Sequence, residues 1–116
     1  MVIEIKRIYD EFLVQDGYRM LVDRLWPRGI SKERASLDEW NKNIAPSTEL
    51  RKWFGHKPEH FQEFAMLYKE ELKNNFKEVK RLQEIASIGK LSLIYAARDP
   101  QINHAIILRD FVLENL

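Results

Sequence analysis

The sequence predicts an α/β fold: a small layered domain over 1–116 in which helices cover a short, mainly parallel sheet of about three strands. Three observations carry this reading. The run "LSLIYAA", Leu91–Ala97, follows Gly89 and is apolar almost throughout, as in a central parallel strand with both faces covered. Two shorter β-prone runs lie near the start of the chain. Between and after these runs apolar residues recur at helical spacing, and strands alternating with helices mark an α/β layer architecture. A chain of 116 residues suits a single core, since domains most often run to about 100–150 residues.

Val2–Ile8 sets Ile3 and Ile5 against Glu4 and Lys6, the alternation of a strand with one wet face. Asp16-Gly17 is a turn signal, after which Tyr18–Val22 forms a second strand ending at Asp23. The segment "ISKER" then opens a helix. Ser36 and Glu39 stand at capping-box spacing and predict a helix through Leu37, Trp40 and Ile44 that Pro46 stops. Ser47 caps a further short helix through Leu50, Trp53 and Phe54, with Gly55 at its end. From Pro58 onward Phe61, Phe64, Tyr68 and Leu72 form one apolar stripe that Val79 and Leu82 extend. Asp99-Pro100 supplies a cap and a first-turn proline for a terminal helix containing Ile102, Ala105, Ile106, Leu108 and Val112. No linker, internal repeat or low-complexity tract interrupts these elements.

Composition narrows the function classes. Hydrophobic residues make up 45% and charged residues 32% of the chain, which is ordinary for a folded protein and unlike a disordered one. The 19 Lys and Arg against 18 Asp and Glu leave a net charge of +1, so nucleic acid is a permitted but not a favoured partner. The chain has no cysteine, which rules out disulfides, thiolate catalysis and cysteine-ligated zinc. No apolar stretch approaches the roughly 18 residues of a spanning helix and the N-terminus lacks a signal-peptide core, so no membrane partner and a cytoplasmic location are expected.

Chemistry is expected at the strand ends, because ligands of open α/β sheets bind outside the carboxyl ends of the strands. The second strand ends in Asp23-Arg24, with Trp26, Arg28 and Gly29 just beyond, and the third ends in Arg98-Asp99. Each end thus carries an arginine and an aspartate. Backbone N–H groups over Pro100–Asn103, at the start of the terminal helix, would add to Arg98 in favouring an anion. The structural alternative is that Asp23 pairs with Arg98, Arg24 pairs with Asp99, and Trp26 packs as core.

The histidines divide differently. His56-Lys57-Pro58-Glu59-His60 fits an inverted zinc-protease pattern, but that chemistry needs both histidines on one uninterrupted helix face and Pro58 breaks it, so no metal is expected. His56, after Gly55, can turn toward a cleft as a general acid or base, or stay a surface loop residue. His104 lies beside Asn103 near the expected anion site, where it serves as a proton carrier or simply as a capping residue. Phosphate-loop, dinucleotide and nucleophile-elbow patterns are absent, and no cofactor is expected. The lysines of Lys69–Lys80 interleave with Glu70, Glu71 and Glu78, as on a solvated helix face.

Three blocks, "DGYRMLVDRLWPRGISKE", "WNKNIAPSTELRKWFGHKPE" and "LIYAARDPQINHAIILRDF", resemble the YeaO-like family of uncharacterised bacterial and archaeal proteins over nearly the whole chain. Signature positions matching that family include Asp23, Arg24, Trp26, Arg28, Arg51, Trp53 and His56. The resemblance implies a compact α/β domain and no established activity. It also implies a change of chemistry, since broader relatives carry a cysteine-histidine-arginine stretch where this chain reads Asn103-His104-Ala105.

Together these readings point to an anionic small ligand, phosphate-bearing compounds among the candidates, between the Asp23–Arg28 loop and the Arg98–His104 turn. Arg24, Arg28 and Arg98 would hold the anion, because guanidinium matches carboxylate or phosphate bidentately; Arg51 and Asn103 complete the ligand set. If a reaction follows, His56 or His104 would move the proton and Asp23 would orient it. The alternatives are a non-catalytic module for nucleic acid or protein that stacks on Trp26 and Trp53, and a purely structural arginine cluster. The strand assignment has its own check: Leu93→Ala or Ile94→Ala should cost about 2–5 kcal/mol by thermal unfolding, and parental stability in both would refute it.

Overall fold

A computed structural model describes residues 1–116. Four strands form one sheet in the order β1-β4-β2-β3: β1 Ile3–Arg7, β2 Tyr18–Leu21, β3 Glu39–Trp40 and β4 Leu91–Tyr95. Every pair is parallel. Five helices accompany them: α1 Lys32–Ala35, α2 Thr48–Phe54, α3 Phe61–Lys73, α4 Phe76–Ile88 and α5 His104–Glu114. β4 is central because all five of its residues are buried, and β1 and β2 flank it in register, Ile5 and Met20 both opposite Leu93.

The two faces of the sheet are covered unequally. Leu91, Leu93 and Tyr95 of β4, with Met20 and Val22, pack beneath α2–α5 through Phe64, Tyr68, Leu82 and Leu108. Ile94 and Leu21 point the other way, into a thinner layer of Ile8, Ile30 and Ala35 flanked by Trp26 and Trp40. On that thin face the largest fully buried side chain is not apolar but Arg19. Its guanidinium donates to Asp16 at 2.6 Å, to the Ser36 carbonyl at 3.0 Å and to the Ala35 carbonyl at 2.9 Å. Asp16 also accepts from Lys6 Nζ at 3.0 Å and from the Leu13 N–H. At the neighbouring turn Gly17 has φ +69, and a Cβ there would lie 2.4 Å from the Lys90 carbonyl oxygen, so only glycine fits.

Three helix expectations need correction. Residues 37–44 do not form a helix. Ser36 takes a left-handed conformation at the end of α1, whose N-cap is Ser31. The Asp38 carboxylate then accepts the Arg19 N–H while the Asp38 N–H donates to the Arg19 carbonyl. That exchange aligns Glu39–Trp40 with Met20–Leu21 as the fourth strand. The stripe starting at Phe61 is two helices, because the chain breaks at Asn74-Asn75, where Asn75 donates its side chain to the Asn43 carbonyl. The terminal helix begins at His104 rather than at Pro100. Asp99 Oδ1 accepts the N–H groups of Gln101 and Ile102, a local turn that competes with helix. The cap itself is Asn103, which accepts from the Ile106 N–H. Ser47 and Gly55 bound α2 as expected.

The Tyr95 ring is buried, while its hydroxyl is not, and makes no hydrogen bond within the protein; the buried phenol is Tyr68, which donates to the Ile44 carbonyl at 2.6 Å. β3 is tied to α4 by Glu39, which accepts from Tyr18 and pairs with Arg81. Arg81 in turn holds Glu78.

Burial pushes the Asp16 carboxyl up, but the hydrogen bonds from Leu13, Lys6 and Arg19 outweigh it and hold the group below its ordinary 3.8. A lowered folded value means that this stabilisation is complete above the unfolded value and is lost as the pH falls through it toward the folded one. Asp16→Asn should therefore cost about 3–5 kcal/mol at neutral pH by leaving Arg19 unpaired. The gap to the parent should narrow as the pH falls below about 4. Thermal melts of both proteins across pH provide the check, and equal stability at neutral pH would refute the role given to Asp16.

Candidate functional site

The chain leaves β2 toward the thin face, where it builds α1, and leaves β4 toward the thick face, where it builds α5. Adjacent parallel strands whose continuations part to opposite faces open a crevice at their carboxyl ends. A cavity of about 580 Å³ lies there. The loop after β2 contributes Asp23, Arg24 and Trp26, the turn after β4 contributes Arg98 and Asp99, α2 contributes Arg51 and Phe54, and α5 contributes His104.

Asp23 is fixed at three points. Its Oδ2 accepts the Ala96 N–H at 3.1 Å, its carbonyl accepts Trp40 Nε1–H at 2.8 Å, and its Oδ1 lies 3.2 Å from His104 Nε2. His104 Nε2 is nearer still to the Val22 carbonyl, at 2.9 Å. A carbonyl only accepts, so Nε2 carries the proton and the ring's Nδ1 is left without a protein partner. Because the N–H is directed at Val22, Asp23 Oδ1 is buried with no hydrogen bond of acceptable geometry. The histidine and aspartate together bolt the start of α5 to the end of β2. Tyr68 packs edge-on against the imidazole, and its own phenol is held well above the ordinary value, first by burial and then by the charges of Glu71 and Asp23.

The arginines have different tasks. Arg24 donates from Nε to the Pro46 carbonyl at 2.9 Å and from Nη2 to the Ala45 carbonyl at 3.1 Å, so it ties the β2 loop to the entry of α2. Arg98 is exposed and makes neither a hydrogen bond nor an ion pair in the protein. Arg51 projects from α2, and its Nε is buried without a partner. Arg28 stands outside the cavity, exposed, with only its carbonyl engaged by the Tyr9 hydroxyl. Neither pairing of the structural alternative forms: Asp23 does not meet Arg98, and Asp99 spends its carboxylate on Gln101 and Ile102.

Trp26 and Trp53 do not share a surface. Trp26 lines the cavity, donates to the Ile30 carbonyl at 2.7 Å and meets Trp40 edge-on. Trp53 stacks on His60 at 4.4 Å and belongs to a separate groove rimmed by Glu49, Glu63 and Glu70. The two histidines of the zinc-like pattern are likewise parted. His60 Nδ1 donates to the Trp53 carbonyl, while His56, in a left-handed conformation at φ 59, turns over Phe54 into the cavity. No three histidine, aspartate or glutamate side chains gather to hold a metal ion. Asn103 lines the cavity, but both ends of its amide are occupied, by the Ile106 N–H and by the Asp99 carbonyl.

Sequence reasoning missed the apolar wall. Phe54 and Phe64, stacked at 4.1 Å, read as helix core, yet both also line the cavity together with Pro46 and Ile102. The helical stripe was the available signal, and it did not distinguish a core face from a cavity face.

Fold and site define a parallel α/β protein with an arginine-lined pocket at its topological switch point. The family model described as the inactive DUF488-N3 subclade matches residues 2–116, and the chain belongs to that family. It is 48% identical over 112 residues to the uncharacterized protein YeaO of Escherichia coli, covering 97% of each chain. It is 38% identical over 106 residues to the uncharacterized proteins Mb3100c of Mycobacterium bovis and Rv3073c of Mycobacterium tuberculosis, covering 91% of this chain and 89% of each relative. No solved structure matches the chain. No helix is long and apolar enough to cross a membrane.

The division between a bracing and a free arginine is measurable. Arg24→Ala strips donors from two carbonyls on buried residues and should cost about 1–3 kcal/mol. Arg98→Ala should stay within about 0.5 kcal/mol of the parent. Urea unfolding of both variants tests this, and equal losses would refute the assignment.

Proposed function

We propose that the cavity binds an anionic small molecule and that the protein acts by binding rather than by catalysis. The observation that carries this reading is Arg51, whose Nε is buried at the cavity without any partner. A buried donor left unsatisfied is costly, and native proteins rarely keep one without a use. Arg98 adds a guanidinium with no partner in the protein. Three guanidinium groups face two carboxylates around the cavity, so the site keeps an excess of positive charge, and one carboxylate, Asp99, is already bonded to backbone N–H groups.

The lining argues for binding without covalent chemistry. It contains no serine, threonine, cysteine, lysine or tyrosine, and of the remaining nucleophile types Asp23, Asp99 and His104 are engaged with backbone groups, which leaves His56 alone without a hydrogen bond. His104 is committed through Nε2 to a backbone carbonyl, and the family's description as an inactive subclade agrees with this. A nucleic-acid module stacking on both tryptophans has less support, because Trp26 and Trp53 line different grooves.

Inorganic phosphate, titrated against chloride at matched ionic strength, should raise the melting temperature of the parent saturably, since a ligand bound only to the native state stabilises it by about 2.7 kcal/mol at a hundred times Kd. Arg51→Gln should abolish the rise, and Arg28→Lys, altered outside the cavity, should keep it. No rise in the parent, or an undiminished rise in Arg51→Gln, would overturn the proposal.

A further inference from the structure

Only two buried side-chain nitrogen or oxygen atoms in the chain lack a hydrogen-bond partner: Arg51 Nε and Asp23 Oδ1. Both residues line the same cavity. The two atoms have opposite polarity. Arg51 Nε can only donate, and an ionised Asp23 can only accept. Buried polar groups are otherwise satisfied throughout this protein, down to the Asn103 amide and the Arg19 guanidinium. An oxyanion alone answers Arg51 and leaves Asp23 unanswered, and would in addition meet a like charge there.

The protein does not supply the missing donor to Asp23. His104 Nε2 is 3.2 Å away, but its proton is directed at the Val22 carbonyl, and the Ala96 N–H already serves the other carboxylate oxygen. Three aromatic side chains line the cavity: Trp26 is half-buried, and Phe54 and Phe64, stacked on each other, are nearly closed off behind it. At about 580 Å³ the space is in the range of pockets for organic ligands, well beyond a bare oxyanion. Aromatic walls favour a flat, apolar body.

We infer that the cavity takes a bipolar ligand, a ring-bearing oxyanion with an N–H or O–H donor on the ring, its oxyanion held by Arg51 and Arg98 and its ring donor by the Asp23 carboxylate. This rests on the anion-binding reading and adds to it a second, oppositely polarised contact. A site that accepts a hydrogen bond from its ligand discriminates strongly against the analogue lacking the donor, because the acceptor is then left buried and unpaired.

The test is isothermal titration of the intact protein, at constant ionic strength, with phenyl phosphate and with the 2-, 3- and 4-aminophenyl phosphates. At least one amino isomer should bind about tenfold or more tightly than phenyl phosphate. Its N,N-dimethyl counterpart, which keeps the ring but has no N–H, should lose that advantage. Asp23→Asn should remove the preference while retaining phenyl phosphate binding; should that variant fail to fold, the ligand series on the parent decides alone. If phenyl phosphate binds and no amino isomer binds more tightly, or if the dimethyl compound keeps the gain, the bipolar assignment is overturned and the anion site stands. If neither phenyl phosphate nor inorganic phosphate binds, both readings fall.

Discussion

The buried pair of Asp16 and Arg19 is the constraint on which the sheet depends. β1 and β2 are parallel but not adjacent, with β4 between them, and the connection over residues 8–17 contains only a short turn of helix at Val14–Asp16. Beyond Ile8, such a crossover buries little apolar surface with which to hold itself in place, since Phe12, Leu13 and Val14 stay exposed. A single aspartate compensates: its carboxylate takes Lys6 from β1 and Arg19 from β2, and its carbonyl takes the Ser92 hydroxyl from β4 at 2.6 Å. Three strands are thereby referenced to one residue. Arg19 extends the reference to the last carbonyls of α1, where a cation is favoured by the helix dipole. A buried ion pair is weak evidence of net stability compared with an apolar replacement. What it provides here is a defined geometry on a face too thin to obtain one from packing.

That geometry reaches the cavity through the register. With Leu21 opposite Ile94, β2 and β4 end level, and the Val22 N–H still bonds to the Ile94 carbonyl at 3.0 Å. One residue later the backbones separate, and the Asp23 side chain bridges the gap to the Ala96 N–H. The aspartate therefore stands at the cleft because the strands part there. Its carbonyl receives Trp40 from the edge of the sheet, and Arg24, next in sequence, turns the other way to fasten Ala45 and Pro46. The loop is held rigidly from both sides, so a ligand would meet preformed rather than assembled contacts, which lowers the ordering cost of binding.

The parts of this structure that were legible in the sequence are those governed by burial. β4 was evident from seven nearly uninterrupted apolar residues, and the strand-end rule then led to Asp23, Arg24 and Arg98 without knowledge of the sheet order. The misreadings fall where short polar side chains compete for the backbone. Ser36 has the spacing of a helix start and instead ends one; Asp99 has the setting of a helix cap and instead closes a turn; Asn74-Asn75 interrupts a stripe whose apolar spacing continues across it. In each case the local pattern permits both outcomes, and tertiary contacts decide, as when Asp38 binds the Arg19 backbone. Arg28, expected among the anion ligands at the strand end, and Trp53, expected as a stacking surface beside Trp26, both lie outside the cavity that Arg24 and Arg51 line. The buried orphan on Arg51 has no sequence signal, since it arises from what the fold fails to bring near.

Asp23 and His104 stand as close as an acid–base pair, and both also fasten the start of α5 to the end of β2. In a catalytic pair the carboxylate orients the imidazole while the other nitrogen addresses a nucleophile or substrate proton. Here the protonated nitrogen is directed at the Val22 carbonyl and only passes near the carboxylate. Asn103, just ahead of His104, is consumed in capping α5 and holding Asp99, and a capping residue stabilises the helix that carries His104. Arg51 and Arg98 come from elsewhere, one from α2 and the other from the β4 turn. The guanidinium groups proposed to hold an anion are thus structurally independent of the contacts that fasten His104, so either set can be altered without dismantling the other.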